Sequence, residues 1–124
     1  MATYNEIYFP TGIYLISAPL NIQAGQELFG DVASIQAAAK APAFAFGSTV
    51  SLLTVQGNGT GKGAILFGIS IVNQAPGGLG VTWSADPSSI MMDCEIVDSS
   101  YTSFPVLDLE QGGGILKNLA IEGN

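Results

Sequence analysis

The residues able to do chemistry are few, and all the strong candidates are carboxylates. Asp108 and Glu110 stand two apart in Val106–Glu110, with Leu109 between them and Leu107 beside Asp108. On a strand, residues two apart share a face, so both acids would point outward, roughly 7 Å apart at the backbone. Two carboxylates at such a distance are what hydrolysis of a glycosidic bond requires, one to protonate the leaving oxygen and one to act as nucleophile or base. The alternative reading is the solvated face of a half-buried strand, and nothing nearby in sequence would push the two pKa values apart. Glu95, between Cys94 and Ile96, is the third candidate, with no acid at the matching positions Ser70 and Ala120. Trp83, Tyr101 and Phe104 are the aromatic side chains that could stack on a sugar ring. Trp83 shares a strand face with Val81 and reads first as core. Tyr101 and Phe104 lie in the loop Ser99–Phe104 and read as exposed.

Composition removes most other chemistries. The chain has 124 residues, three Lys, no Arg, no His and ten acids, for a net charge of −7. Without His there is no Ser–His or Cys–His nucleophile system and no His-based zinc site. With three Lys as its only basic residues the chain has little to neutralise phosphates, so nucleic acid is not an expected partner, and neither is an anionic membrane surface. No apolar run approaches the eighteen residues of a membrane span, and Met1–Glu6 lacks the basic-then-apolar pattern of a signal peptide. The loop Gln56–Gly63 is Gly-rich and carries one Lys. It matches neither a P-loop nor a dinucleotide fingerprint, and no helix follows it. Calcium needs six or more oxygens, and no clustered motif supplies them. No metal or cofactor is therefore expected. Cys94 is the single cysteine; it reads as a small buried hydrophobe.

The elements that must position these residues come from a repeat. Gly63–Val72, Ser88–Val97 and Gly113–Glu122 are three copies of one pattern. Ile65, Ile90 and Ile115 are 25 apart, as are Ile71, Ile96 and Ile121. A fixed period of this size indicates a solenoid. Within each copy the end alternates apolar and polar, Ile69-Ser70-Ile71 against Cys94-Glu95-Ile96, which is the period of a strand. Gly68, Asp93 and Asn118 precede the alternation, and Asn73, Asp98 and Gly123 follow it. These are residue types that tolerate positive φ, so both sets read as bends. Stacking the copies makes interior ladders of Ile65/Ile90/Ile115 and Ile71/Ile96/Ile121. Leu66, Met91 and Leu116 then face outward, or inward if the corner falls between residues 65 and 66. The fold predicted is all-β, a right-handed parallel β-helix of about five coils in one domain over 1–124, a rod about 24 Å long.

The earlier chain reads as strands at Ile7–Phe9, Ile13–Ile16, Leu20–Ile22 and Glu27–Phe29, separated by Pro- and Gly-containing turns. Asp31–Lys62 is less regular. Ala37–Lys40 is a helical turn or a loop, Phe44 and Phe46 alternate as in a short strand, and Val50–Val55 is a strand.

Ile7 to Ile22 (Ile-Tyr-Phe-Pro-Thr-Gly-Ile-Tyr-Leu-Ile-Ser-Ala-Pro-Leu-Asn-Ile) followed by Leu28-Phe29-Gly30-Asp31 resembles the opening coils of the pectate-lyase-superfamily β-helix, closest to fungal exo-β-1,3-glucanase-like proteins. Gly80-Val81-Thr82-Trp83 is similar to a strand of the same proteins. The resemblance covers about a third of the chain. It implies a groove beside the coils that holds a β-1,3-glucan or pectin-type polysaccharide, and an extracellular setting. The Gly-Asp-Gly turn and capping helix that usually precede the motif are missing, and the Arg that assists proton abstraction in pectate lyases has no counterpart here. The resemblance therefore implies a scaffold segment of a longer solenoid rather than a complete enzyme. The second reading is structural: open coil ends that pair between molecules, giving head-to-tail oligomers or filaments.

Overall fold

The computed structural model describes residues 5–59, 61–98, 106–110 and 112–123. It is an all-β parallel solenoid of about four turns, with 55% strand and almost no helix. Strands run in chain order as β1 (Glu6–Phe9), β2 (Gly12–Ile16), β3 (Leu20–Ile22), β4 (Glu27–Ala37), β5 (Ser51–Gln56) and β6 (Ile65–Asn73), then β7 (Leu79–Ser84), β8 (Ile90–Met92), β9 (Glu95–Asp98), β10 (Leu107–Asp108), β11 (Ile115–Lys117) and β12 (Ala120–Gly123). They form two sheets. The first contains β1, β2, β4, β6, β8, β9, β11 and β12; the second runs β3-β5-β7-β10.

Pairing follows the repeat. Ile65 lies beside Ile90 and Ile90 beside Ile115, while Ile71 lies beside Ile96 and Ile96 beside Ile121. The two ladders face opposite ways, however. Ile71 and Ile96 are fully buried, whereas Ile65 and Ile90 are only partly covered and Ile115 is exposed. The neighbouring ladder Leu28–Leu66–Met91 fills the interior instead. The corner thus falls between residues 65 and 66. In the apolar run Ile65-Leu66-Phe67, sequence types alone leave the phase undecided, and the next bend decides it. Gly68, Asp93 and Asn118 all have positive φ, and that turn sets which of the preceding residues points in.

The second predicted bend set works differently. Asn73 and Asp98 are not among the described residues with positive φ. They are strand ends with buried side chains. Asn73 Nδ2 donates to the carbonyls of Gly77 and Gly78 and to Asp98 Oδ1, and Asn73 Oδ1 accepts from the Ala75 N–H. Hydrogen bonding from the side chain, rather than a left-handed backbone, turns the chain here.

The first two coils hide the period because they differ in length. Glu6 pairs with Glu27 and Glu27 with Ile65, so the second coil is much longer than the later ones. It holds the extra segment from Ala38 to Val50, in which Pro42–Phe44 form one 3-10 turn, not a strand. Phe44 is fully buried and Phe46 is exposed. β4 also runs on past Phe29, through an irregularity between Phe29 and Ala33 where Val32 takes φ 50°. A β-branched residue at positive φ is uncommon. Here three residues, Gly30 to Val32, lie against the single Gly68, and Gly30 sits so close to the Gly68 carbonyl that a side chain would collide with it.

The second sheet closes the core with Ile22–Val55–Trp83 and Leu53–Val81 pointing inward. Each fully buried aliphatic side chain contributes about 1.5–3 kcal/mol, and stacking alone provides that burial.

Candidate functional site

The bend of the first sheet forms a groove on its outer surface. Its floor is the stack Gly68, Asp93 and Asn118, where Asn118 Nδ2 donates to Asp93 Oδ1 at 2.5 Å. Beyond the bend the outward residues are Ser34, Ser70, Glu95 and Ala120, one per coil. The Ser70 hydroxyl donates to Glu95 Oε2 at 3.0 Å. The hollow lined by Gly68 to Ser70, Asp93 to Glu95 and Asn118 to Ala120 is about 310 Å3. On the other side of the bend the outward ladder is Tyr8–Phe29–Phe67–Met92–Lys117. The rings of Phe29 and Phe67 lie 6.3 Å apart, tilted at 50°. An apolar, ring-bearing line thus runs along the solenoid axis beside a line of hydroxyl, amide and carboxylate groups. That pairing suits a ligand with apolar faces and hydroxyl edges.

Cys94 lies under the groove, buried on the ladder between Ile69 and Leu119. Its thiol donates to the Met92 carbonyl. Burial pushes the thiol pKa up and the charge of Asp93 adds to this, against backbone hydrogen bonds at Ile69, Gly68 and Met92 that pull it down. Burial thus favours the protonated thiol.

The structure does not bring the predicted acids together. Asp108 is on the second sheet, opposite Thr82, whereas Glu95 is on the first. The strand carrying Asp108 is Leu107–Asp108 and ends before Glu110. Leu109, which alternation placed inside, is 53% exposed. The shared outward face drawn for Asp108 and Glu110 therefore rests on a longer strand than the one that forms. Trp83 is 1% exposed and its Nε1 donates to the Gly113 carbonyl. Gly112 packs so close that a side chain there would strike the indole. Trp83 is core and offers no face to a ring. Tyr101 and Phe104 lie outside the described residues.

The Gly-rich loop has an unforeseen partner. The Asp86 carboxylate accepts hydrogen bonds from the backbone N–H groups of Asn58 and Gly59, each 2.9 Å. Ser88 Oγ donates to the Gly61 carbonyl. Two amides of this loop thus hold the chain's own carboxylate. The Asp-Pro-Ser-Ser turn at Asp86–Ser89 carries this signal, but its partner lies a coil away.

What sequence reasoning missed is the outward aromatic ladder. Phe29 and Phe67 are 38 positions apart, and only the inserted segment in the second coil brings them into register. Among the described residues no group of three or more His, Cys, Asp or Glu gathers to hold a metal, and no helix is long and apolar enough to cross a membrane. Comparison with family models, with curated proteins and with solved structures found no match.

Proposed function

We propose that this chain is the scaffold segment of a polysaccharide-contacting β-helix protein, with the polymer lying along the bend groove of the first sheet. The observation that carries the reading is the alignment along one axis of the Phe29–Phe67 line with Ser70, Glu95, Asp93 and Asn118. Parallel strands repeat about every 4.8 Å, a spacing comparable to one sugar unit, so successive coils offer successive sugars similar contacts. The opening-coil motif of Ile7–Asp31 supports the same reading, and with it a secreted setting.

Between the two polymers that the resemblance implies, charge favours the neutral one. The chain carries −7 overall, and the hollow is lined by Asp93 and Glu95 against Lys117 on the flanking ladder. A polygalacturonate chain would be repelled, whereas a β-1,3-glucan would not. No catalytic role is assigned: Asp108 lies on the other sheet, and its strand ends before Glu110. The test is electrophoretic retardation in gels containing either polymer. Soluble β-1,3-glucan is expected to slow the protein and polygalacturonate to leave it unchanged. Phe67→Ala should weaken glucan binding about tenfold, the loss of one stacking contact. Equal mobility with and without glucan would sink the proposal.

A further inference from the structure

We infer that Asn58–Gly59 is a self-modification site, an amide that deamidates through a cyclic imide, and that the Asp86 carboxylate holds it shut in the folded chain. This inference stands independently of the glucan reading.

Asn58–Gly59 is the chain's single Asn-Gly pair, and both residues are exposed. Gly59 has no side chain, and the place where one would stand is empty within 4 Å, so little crowds an attack by its backbone nitrogen. In that attack the bond between the Gly59 nitrogen and Asn58 Cγ forms, and the nitrogen loses its proton. The bond from Cγ to Nδ2 breaks, and ammonia leaves with that proton. Water then opens the ring at one of its two carbonyls, restoring an N–H and leaving a carboxylate. The reactants are the chain itself and water.

The fold opposes the first step. The Asn58 N–H donates to Asp86 Oδ2 and the Gly59 N–H to Asp86 Oδ1, each at 2.9 Å. Successive N–H groups converge on one anion only when both lie on the same side of the chain. An extended Asn58 would point them in opposite directions. Ring closure demands another arrangement, in which the Gly59 nitrogen swings round to eclipse the Asn58 Cβ. It also demands the proton that Asp86 holds. The clamp is well anchored. Asp86 is 8% exposed and opens a turn closed by the Ser89 N–H on the Asp86 carbonyl. The same turn straps the rest of the loop, with Ser88 Oγ donating to the Gly61 carbonyl and the Ala64 N–H donating to Ser89 Oγ. Gly57 packs so close to the Asp86 carboxylate that a side chain there would collide with it.

Once formed, the product does not reclose. Opening to the β-linked isomer adds a methylene to the main chain between the two amides and leaves a new carboxylate beside Asp86. The amides then no longer converge on one acceptor, and two like charges face each other. A transient opening of the loop is thereby recorded as a permanent negative charge.

The test incubates the full chain at mildly alkaline pH, with and without denaturing urea. The Asn58 peptide is followed by mass spectrometry and the intact protein by isoelectric focusing. Native wild type is expected to keep its amide, while urea-unfolded wild type and native Asp86→Ala convert Asn58 at least about tenfold faster. Asn58→Gln should remove the acidic shift from all samples. Native wild type converting as fast as Asp86→Ala would overturn the clamp. An unmodified Asn58 in urea, or an acidic shift that survives Asn58→Gln, would overturn the site. If Asp86→Ala loses its strand signal in circular dichroism, Asp86→Asn, which retains one acceptor oxygen, replaces it with the same two outcomes.

Discussion

The two outer faces of this solenoid rest on the same core and differ in almost everything else. The first sheet shows apolar ladders to the outside, Phe29–Phe67–Met92 and Ile65–Ile90–Ile115, and it bends at Gly68, Asp93 and Asn118. The second sheet shows Asn21–Thr54–Thr82–Asp108, with Gln23 donating to Gln56 beside it. Both are parallel and hydrogen-bonded alike. The second alternates inward apolar with outward polar, as a sheet facing water on one side does. The first carries consecutive apolar residues, the pattern of a sheet covered on both sides, yet among the described residues its outward Phe29, Ile65, Phe67, Ile90 and Met92 are only partly covered. These apolar residues line one outer surface, so the first sheet is where contact with something else is to be sought.

The comparison breaks most completely if the shared core is lost. Ile96→Asp places a charge between Ile71 and Ile121 with no partner, and should cost about 4 kcal/mol or more. Both sheets should disappear in one thermal transition by circular dichroism. Survival of half the strand signal would mean that the sheets do not share one core. Next in size, Gly68→Ala strikes the first sheet alone. Its φ is +71° and a Cβ would sit 2.7 Å from the Gly30 carbonyl oxygen. The expected cost is about 1–3 kcal/mol, read as a lower melting temperature, with glucan retardation lost before folding is. Asp86→Ala acts beside the second sheet, in the turn after β7. Releasing the Asn58 and Gly59 amides should cost about 2 kcal/mol and open Gly57–Gly61 to proteolysis while leaving glucan retardation intact.

The smallest effect is a pH dependence under the groove. Folding raises the Cys94 pKa through burial, so the folded state favours the protonated thiol. That stability is complete below the ordinary thiol range and is lost as pH rises through the raised value. Cys94→Ala should therefore lose less stability than wild type between neutral and alkaline pH, measured by denaturant melts at paired pH values. Parallel curves for the two proteins would show that the thiol does not titrate on unfolding.

Much of this was legible along the chain. The period of 25 from Ile65 onward determined strand pairing, because stacking like on like is how repeated strands bury one face. Ile71 on Ile96 and the bend set Gly68, Asp93 and Asn118 follow from residue type and spacing alone. The buried place of Cys94 follows from the same ladder, and the core place of Trp83 from alternation with Val81. Other features required the folded coil. In Ile65-Leu66-Phe67 and Ile90-Met91-Met92 every residue is apolar, so type could not say which faced in; the positive-φ turn just after them chose Leu66 and Met91. Asn73 and Asp98 looked like bend residues, but whether a polar side chain supports a turn by backbone conformation or by buried hydrogen bonds depends on neighbours brought from other positions. Phe29 met Phe67, and Asp86 met Asn58 and Gly59, across coils of unequal length, where no fixed spacing survives to be read. The pair Asp108 and Glu110 was close in sequence, yet the strand ended between them. Local pattern determined which residues could form strands and ladders; the lengths of the intervening loops, which only the packed solenoid reveals, decided which side chains share a surface.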